Sequence, residues 1–416
     1  MITEIAIAIA SYSLCCYIYD TNERKFKNKF NDSVQNLGLF NKSGDTYKVK
    51  KYETRKYGCY ASISIPPGLS FELLTSKINT LQDNLNGLII MDKNPFTSYI
   101  NFYFISSDVT KYVYSPVKCK NNQLFIGKDI KGSIVRMDLN TNPHLLISGA
   151  TGTGKSFFIS TILANTCYYH SLDVELWLMQ TVKGELSNFA DCSNVRCCAR
   201  TLLQVQAYLN KLIQIMQYRS NKFEEHGIKN ISQWNSHFSN HKMHRILVVT
   251  EEMYSFAEIC YPQLSQIAKA GRSVGIHLIG LVQRTTIANI PSDIKAQMSR
   301  ITFRQKSDID SVNVIGNKNA VDLKDRECIL DSSEGQQKVI VPFVDEDYAI
   351  LNKYVPEIHI PSDNVYEKTD MKEISDYIQP HEENIVDVKY KETSDPQPVK
   401  KRKRKGIVSI EDIHDN

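Results

Sequence analysis

Residues Pro143 to Ser156 read PHLLISGATGTGKS, and no other stretch limits so tightly what this chain can fold into. The apolar run Leu145, Leu146, Ile147 has the composition of a buried strand. It empties directly into Gly149-Ala150-Thr151-Gly152-Thr153-Gly154-Lys155-Ser156. That is the G-x-x-x-x-G-K-[ST] pattern with a strand before it and a helix-compatible apolar run, Phe157 to Asn165, behind it. A chance Gly/Thr-rich turn would not bring both flanks. The glycines let successive backbone N–H groups turn inward around a polyphosphate, and the helix N-terminus adds the positive end of its dipole. In such a loop Lys155 reaches the β and γ phosphates and the Ser156 hydroxyl holds Mg²⁺.

A phosphate loop demands partner strands, and the following residues supply them. Val174 to Gln180 (VELWLMQ), Arg245 to Thr250 (RILVVT), Gly275 to Val282, Arg300 to Arg304 and Lys338 to Val344 all read as strands. Amphipathic helical spacing separates them, above all in Thr201 to Met216. Strands alternating with helices predict a mostly parallel sheet with its site at the strands' C-terminal ends. The third strand ends in Glu251-Glu252. Phosphoryl transfer needs one carboxylate in the Mg²⁺ shell and another to orient the attacking water. The preferred register assigns Glu251 to the metal and Glu252 to the water. The competing reading is a helix that opens with acids favouring its dipole. Gln283, at the end of the fourth strand, is placed to sense the γ phosphate.

The 416 residues allow one large α/β domain with smaller pieces, and 42% apolar with 23% charged residues is ordinary for a globular core. A net charge of +4 says little about partners. The ten cysteines follow no framework spacing and read as reduced thiols. His237, His241 and His244 have ligand-like spacing, but they sit in a polar stretch and read as a surface loop. At the start, Ile5 to Tyr19 is uncharged and mostly apolar, with Arg24, Lys25, Lys27 and Lys29 behind it. This reads as a short membrane anchor with its basic flank in the cytoplasm, although it falls short of the roughly 20 residues a spanning helix needs. The alternative is a buried or partner-facing helix. Tyr47 to Ile65 alternates as strands, Phe71 to Leu85 has helical spacing behind Ser70 as N-cap, and two more strands follow. The division expected is an anchor over 1–22, a small α/β module over 23–120, a motor domain over 121–355 and a polar, basic tail over 356–416.

From about Gln123 to Leu330 the chain resembles the FtsK/SpoIIIE family of DNA-translocating ATPases. The resemblance is carried by HLLISGATGTGKS, by RILVVTEE, and most specifically by KAGRSVGIHLIGLVQRTT and NIPSDIKAQMSRITFRQKSDIDS. Arg272, Gly275, His277, Gln283, Arg284, Lys295, Arg300, Phe303, Ser307, Asp310 and Ser311 fit its pattern. The stretch Ile65-Pro-Pro-Gly-Leu-Ser70 and the N-terminal apolar segment are similar to the subset serving conjugative plasmids and integrative elements. The resemblance implies a RecA-like ATPase that binds ATP and Mg²⁺ and works as a ring, usually a hexamer, threading DNA. It implies a relaxase and conjugation-channel proteins as partners, and a single-pass protein of the bacterial cell membrane with its motor in the cytoplasm. Lys155, Ser156, Glu251, Glu252 and Gln283 would then act in one subunit, and an arginine would come from the neighbour. Arg272 resembles that finger by its distance to Gln283, and Arg300 is the other candidate.

Two departures from the family's pattern matter. Glu251 stands where the family usually has Asp, and Thr181-Val182-Lys183 where it usually has Asp-Pro-Lys. Charge at the metal is kept in the first and a carboxylate is lost in the second. The run Lys400 to Lys405 (KKRKRK) would bind DNA phosphates or anionic lipid, or remain a solvated tail. Three functions follow for comparison: a translocase coupling DNA to a conjugative export channel, a duplex pump for segregation or packaging, and a nucleotide-binding docking platform without appreciable turnover.

Overall fold

The computed structural model describes residues 21–108, 111–181, 184–282 and 290–360. Its contacts divide the chain into two compact units, Met1–Lys111 with Lys128–Ser133, and Tyr112–Gly127 with Ile134–Asn416. The expected anchor over residues 5–19, the polar amide Gln283 with Arg284, Lys183, and the basic run at 400–405 lie outside the described residues. Among the described residues no helix is long and apolar enough to cross a membrane.

The first unit is built on an antiparallel sheet of β1 (Lys48–Arg55), β2 (Gly58–Ser64), β3 (Leu88–Asp92) and β4 (Tyr99–Ile105), in the order β1-β2-β4-β3. The alternation legible in the sequence is kept: Cys59, Ala61 and Ile63 of β2 are buried, and the residues between them are half-buried. A helix over residues 21–36 contributes Phe26, Phe30 and Val34 to the same core, with Phe30 edge-on to Phe102 at 5.5 Å. The single helix expected over 71–85 is two, Phe71–Thr75 and Ile78–Leu85. Ser70 caps the first as expected, accepting the Leu73 N–H. The break follows from Ser76, whose hydroxyl donates back to the Leu73 carbonyl at 2.8 Å and competes with the helical ladder.

The second unit holds a ten-stranded sheet. Its strands are β5 (Gln123–Asp129), β6 (Ile134–Asp138), β7 (Leu145–Ser148), β8 (Val174–Gln180), β9 (Val195–Ala199), β10 (Arg245–Glu251), β11 (Ile276–Val282), β12 (Ser299–Thr302), β13 (Glu327–Ser332) and β14 (Gly335–Ile340). Their order is β6-β5-β14-β13-β12-β7-β11-β10-β8-β9. The six strands from β12 to β9 run parallel, while β13 and β14 are antiparallel additions. Successive residues of β10 feed different cores. Leu247 and Val249 join the Lys155–His170 helix, and Ile246 and Val248 join the Leu202–Glu225 and Tyr261–Val274 helices. A sheet covered on both faces explains why β7, β10 and β11 read as unbroken apolar runs. The Leu202–Glu225 helix starts at a capping box between Thr201 and Gln204.

Two strands, β9 and β13, were not anticipated, and the strand expected over Lys338–Val344 is displaced. Pairing with β13 fixes β14 at Gly335–Ile340, with Glu327 opposite Ile340. Beyond it the backbone leaves the sheet. The Phe343 N–H donates to the Tyr112 carbonyl and its own carbonyl accepts the Tyr114 N–H.

Candidate active site

The phosphate loop lies where the parallel order puts it, between the end of β7 and the Lys155–His170 helix. β12, beside β7, pins it, with the Phe303 N–H donating to Ser148 and the Ala150 N–H to Arg304. Gly149 has φ 150°, and a Cβ there would come within 2.7 Å of the Phe303 Cβ. Gly154 has φ 98°, the left-handed value that starts the helix here. The Lys155 ammonium folds back onto the loop, donating to the carbonyls of Gly149 at 2.7 Å and Ala150 at 2.8 Å. Burial pushes its pKa down to about 8. A triphosphate in the loop replaces two neutral acceptors with an anion and favours the charged lysine.

The same cavity, about 690 Å³, is walled by Thr151 to Phe157, Glu185, Glu251 and Glu252, and by two segments from across the sheet, Asp325-Arg326 and Val341 to Glu346. Its size is that of a small-molecule site. β10 lies two places from β7 with β11 between them. Its end therefore delivers Glu251 and Glu252 to the loop as expected. Glu252 has φ 50°, uncommon for a residue with a side chain and characteristic of sites where backbone strain is held by its surroundings. The Tyr254 hydroxyl donates to its Oε2 at 3.3 Å.

Glu251 is the more enclosed of the pair. Burial raises its pKa, helped by the charges of Glu185 and Glu252 and opposed by the backbone N–H groups of Leu186 and Glu185. Its Oε2 is buried with no hydrogen-bond partner among the described residues. A Cβ on Gly184 would overlap this carboxylate. An orphaned, charge-accepting oxygen on the wall of a phosphate cavity fits a carboxylate that serves a hydrated cation. Among the described residues no group of three or more His, Cys, Asp or Glu could hold a metal alone. A single such carboxylate meets what Mg²⁺ asks of a protein, since that ion keeps its waters and takes one or two protein ligands besides substrate phosphates.

Glu185 was not singled out in the sequence. It accepts a 2.5 Å hydrogen bond from Tyr348, whose hydroxyl also accepts from Ser160 on the loop's helix. Burial and Glu185 together keep the Tyr348 hydroxyl protonated. Its only sequence signal is its place five residues past the end of β8. Arg326, also missed, stands just before β13, a strand the sequence reading lacked.

Arg272 does not line the cavity. It is exposed in the last turn of the Tyr261–Val274 helix, beside Lys229 and Lys269. Arg300, the alternative, is occupied within its own unit: it donates to the Val314 carbonyl at 2.7 Å and faces Asp331 at 4.0 Å. Thr181 bonds to the Ser255 hydroxyl at 2.7 Å. Of the spaced histidines, His237 bonds the Gln233 carbonyl and His244 faces Glu175 at 3.4 Å.

The FtsK/SpoIIIE family model matches residues 116–260 of this chain. The chain is 30% identical over 265 residues to the DNA translocase FtsK of Caldanaerobacter subterraneus subsp. tengcongensis, a match covering 60% of this chain and 37% of that protein. It is 30% identical over 290 residues to the DNA translocase FtsK of Clostridium acetobutylicum, covering 64% and 38%. The chain thus spans under two fifths of the length of these relatives. Among solved structures it shares its fold with the pCW3 conjugation coupling protein TcpA in monomer form with ATPγS. The TM-score is 0.55 at 20% identity, over 80% of this chain and 99% of that one.

Proposed function

We propose that this chain is an ATP-driven DNA translocase of the FtsK/SpoIIIE type with a RecA-like motor, acting in conjugative transfer by coupling DNA to an export channel. The observation that carries the reading is the convergence of the Gly149–Ser156 loop with Glu251 and Glu252 on one cavity at the C-terminal edge of the parallel strands. The relatives named as DNA translocases support DNA as the track. The fold shared with a conjugation coupling protein favours transfer over segregation or packaging.

In this reading the triphosphate lies along the loop, with its β and γ oxygens taking the Lys155 ammonium from the carbonyls it now contacts. Water attacks the γ-phosphorus in line, Glu252 orients it and accepts its proton, and ADP leaves with inorganic phosphate as the other product. Ser156 and Glu251 would hold Mg²⁺, which would supply charge neutralisation at the phosphates. Gln283 senses the γ phosphate. Arg272, exposed and remote from its own cavity, serves the site of a neighbouring subunit in a ring, with a hexamer as the family's usual size. The remaining parts of the proposal are tethering of residues 1–22 in the cell membrane with the motor in the cytoplasm, and contact with a relaxase and channel proteins.

The test is the ATPase rate of the full chain with no DNA, single-stranded DNA and duplex DNA, beside Glu252→Gln. Stimulation by DNA that vanishes in the variant establishes a motor, and the preferred DNA separates conjugative coupling from duplex pumping. Nucleotide binding without turnover under any condition would leave only the docking platform.

A further inference from the structure

The four-stranded sheet of the first unit buries one face and leaves the other with chemistry that ATP hydrolysis does not use. Cys59, Ala61 and Ile63 of β2, with Ile100 and Phe102 of β4, belong to the core. The intervening Tyr60, Ser62, Tyr99, Asn101 and Tyr103 therefore share the opposite face. Pairing sets Tyr60 beside Tyr103 and Ser64 beside Tyr99. The Tyr60 and Tyr103 rings lie 5.3 Å apart, and the Tyr60 hydroxyl donates to the Asn101 side-chain carbonyl at 2.9 Å. Asn101 in turn donates to Asp92 at 2.5 Å, which fixes the polar floor between the rings. Tyr99 is 47% exposed and stands about 13 Å from Tyr103 along the same strand.

Cations frame these rings. β1 (KVKKYETR) carries Lys48, Lys50, Lys51 and Arg55, all exposed, against one acid, Glu53. Its register slips between Val49 and Lys51, so Lys50 is the extra residue of a bulge. The bulge brings Lys48 opposite Ser64 and Lys51 opposite Ser62, both on the tyrosine face. Lys51 and Arg55 share the Glu53 carboxylate, which leaves a positive excess on the trio. Lys131, which belongs to this unit, sets its ammonium 3.3 Å from the Tyr103 ring centroid. Tyr103 is thereby capped by a cation, and Tyr99 is the ring that keeps an open face.

An open aromatic ring on a flat antiparallel face, flanked by lysines and by amide and hydroxyl groups, matches one partner chemistry. Unstacked bases lie on aromatic rings while the phosphates between them meet ammonium groups. A duplex offers phosphates but keeps its bases paired and stacked, so it would use the cations alone. We propose that the open face of this sheet is a docking surface for single-stranded DNA, with a base on Tyr99 and neighbouring phosphates on Lys48 and Lys51. The proposal takes DNA as the partner from the translocase reading and adds a contact outside the motor. A second copy of the chain covering the same ring is the competing explanation.

The experiment uses the full chain with a single-stranded oligothymidylate of about 16 nucleotides and a duplex of the same length. Fluorescence anisotropy at several salt concentrations reads binding for wild type, Tyr99→Leu, Tyr99→Trp and the double variant Lys48→Gln with Lys51→Gln. Leucine keeps apolar volume without a stacking face, and tryptophan restores the face. Oligonucleotides carrying iodouracil, irradiated on the wild type and mapped by mass spectrometry, report which residues touch bases. The expected crosslinks fall within Tyr99–Ile105. Tyr99→Leu should lose about 5- to 100-fold in single-strand affinity with duplex affinity unchanged, and Tyr99→Trp should regain it. The lysine variant should flatten the slope of log affinity against log salt by about 1.4 for the single strand. Unchanged affinity in Tyr99→Leu, equal loss for single strand and duplex, or a changed oligomeric state with DNA affinity intact overturns the docking surface. Crosslinks confined to the second unit also overturn it while the translocase reading stands. If wild type binds neither form of DNA, both readings fall together.

Discussion

The carboxylate of Glu251 fills the space that a Cβ on Gly184 would need. The segment after β8 and the end of β10 are therefore locked by shape, with the backbone N–H groups of Glu185 and Leu186 holding the charge. Gly184→Ala has to push Glu251 or its own segment aside. A displacement of about 1 Å at a catalytic group lowers turnover by about 10²-fold. The expected outcome is that loss in kcat with little change in ATP affinity, because Lys155 and the loop stay in place. Steady-state ATPase assays beside a nucleotide titration check it, and full activity in Gly184→Ala would remove any need for Glu251 to sit where it does.

Lys155 sets the pH range of nucleotide binding. In the free protein burial holds its pKa down at about 8, and a polyphosphate partner raises it. The bound state therefore holds the proton more tightly than the free state. Affinity is full below about pH 8 and weakens above it by up to tenfold per pH unit, until the bound lysine itself titrates. Titration of ATP at pH 7, 8 and 9 measures the slope. Calorimetry at pH 8.5 in two buffers of different ionisation heat should show proton uptake on binding.

The two candidate arginines are separated by what they touch. Arg300 bonds the Val314 carbonyl at the end of the Asp308–Ile315 helix, so Arg300→Ala costs stability, about 1–3 kcal/mol for a lost charged hydrogen bond. Arg272 is exposed and has no such bond among the described residues. Arg272→Ala should leave the melting temperature alone and reduce DNA-stimulated hydrolysis by about 10³-fold or more, the usual worth of an arginine finger. Mixing Arg272→Ala with Lys155→Ala chains should restore part of the activity, since a mixed interface pairs an intact loop with an intact arginine. Absence of rescue would mean that Arg272 does not act on a neighbour.

The site was legible in sequence where its chemistry is consecutive. Gly149 to Ser156 and Glu251-Glu252 are each one short run at the end of an apolar strand, and a buried parallel strand announces itself by composition alone. What was missed comes from segments that carry no such run. β9 (VRCCA) and β13 (ECILDS) are short and mixed in polarity, and without β13 the register of β14 could not be set. Arg326 stands just before β13 and Phe343 just beyond β14, so the far wall of the cavity could not be assembled from sequence. Glu185 was hidden for a different reason: its partner Tyr348 is 163 residues away. His277 was read as part of a family pattern, and its bonds give that pattern a structural cause.

His277 and His144 tie the start of β7 to β11, and each uses one ring nitrogen as an acceptor, which requires the neutral ring. The His277 Nδ1–H donates to the Pro143 carbonyl at 2.9 Å, and its Nε2 accepts from the Arg245 guanidinium at 3.0 Å. The His144 Nδ1 accepts the Leu278 N–H at 2.9 Å. Burial first, then the Arg245 charge, holds the His277 pKa well below its ordinary value, and burial lowers His144 to about 4. Both groups bind a proton more readily unfolded than folded, so their contribution to stability is complete above about pH 6.5 and is lost as pH falls towards the folded values. Two such groups give a slope of up to about 2.7 kcal/mol per pH unit. His277→Gln keeps an acceptor for Arg245 and removes one proton site, so it should flatten that slope by about half between pH 6 and 5. Urea unfolding across pH 4.5 to 7.5 for wild type and variant measures it. Parallel curves would mean that His277 is not the group whose protonation loosens the strand beneath the phosphate loop.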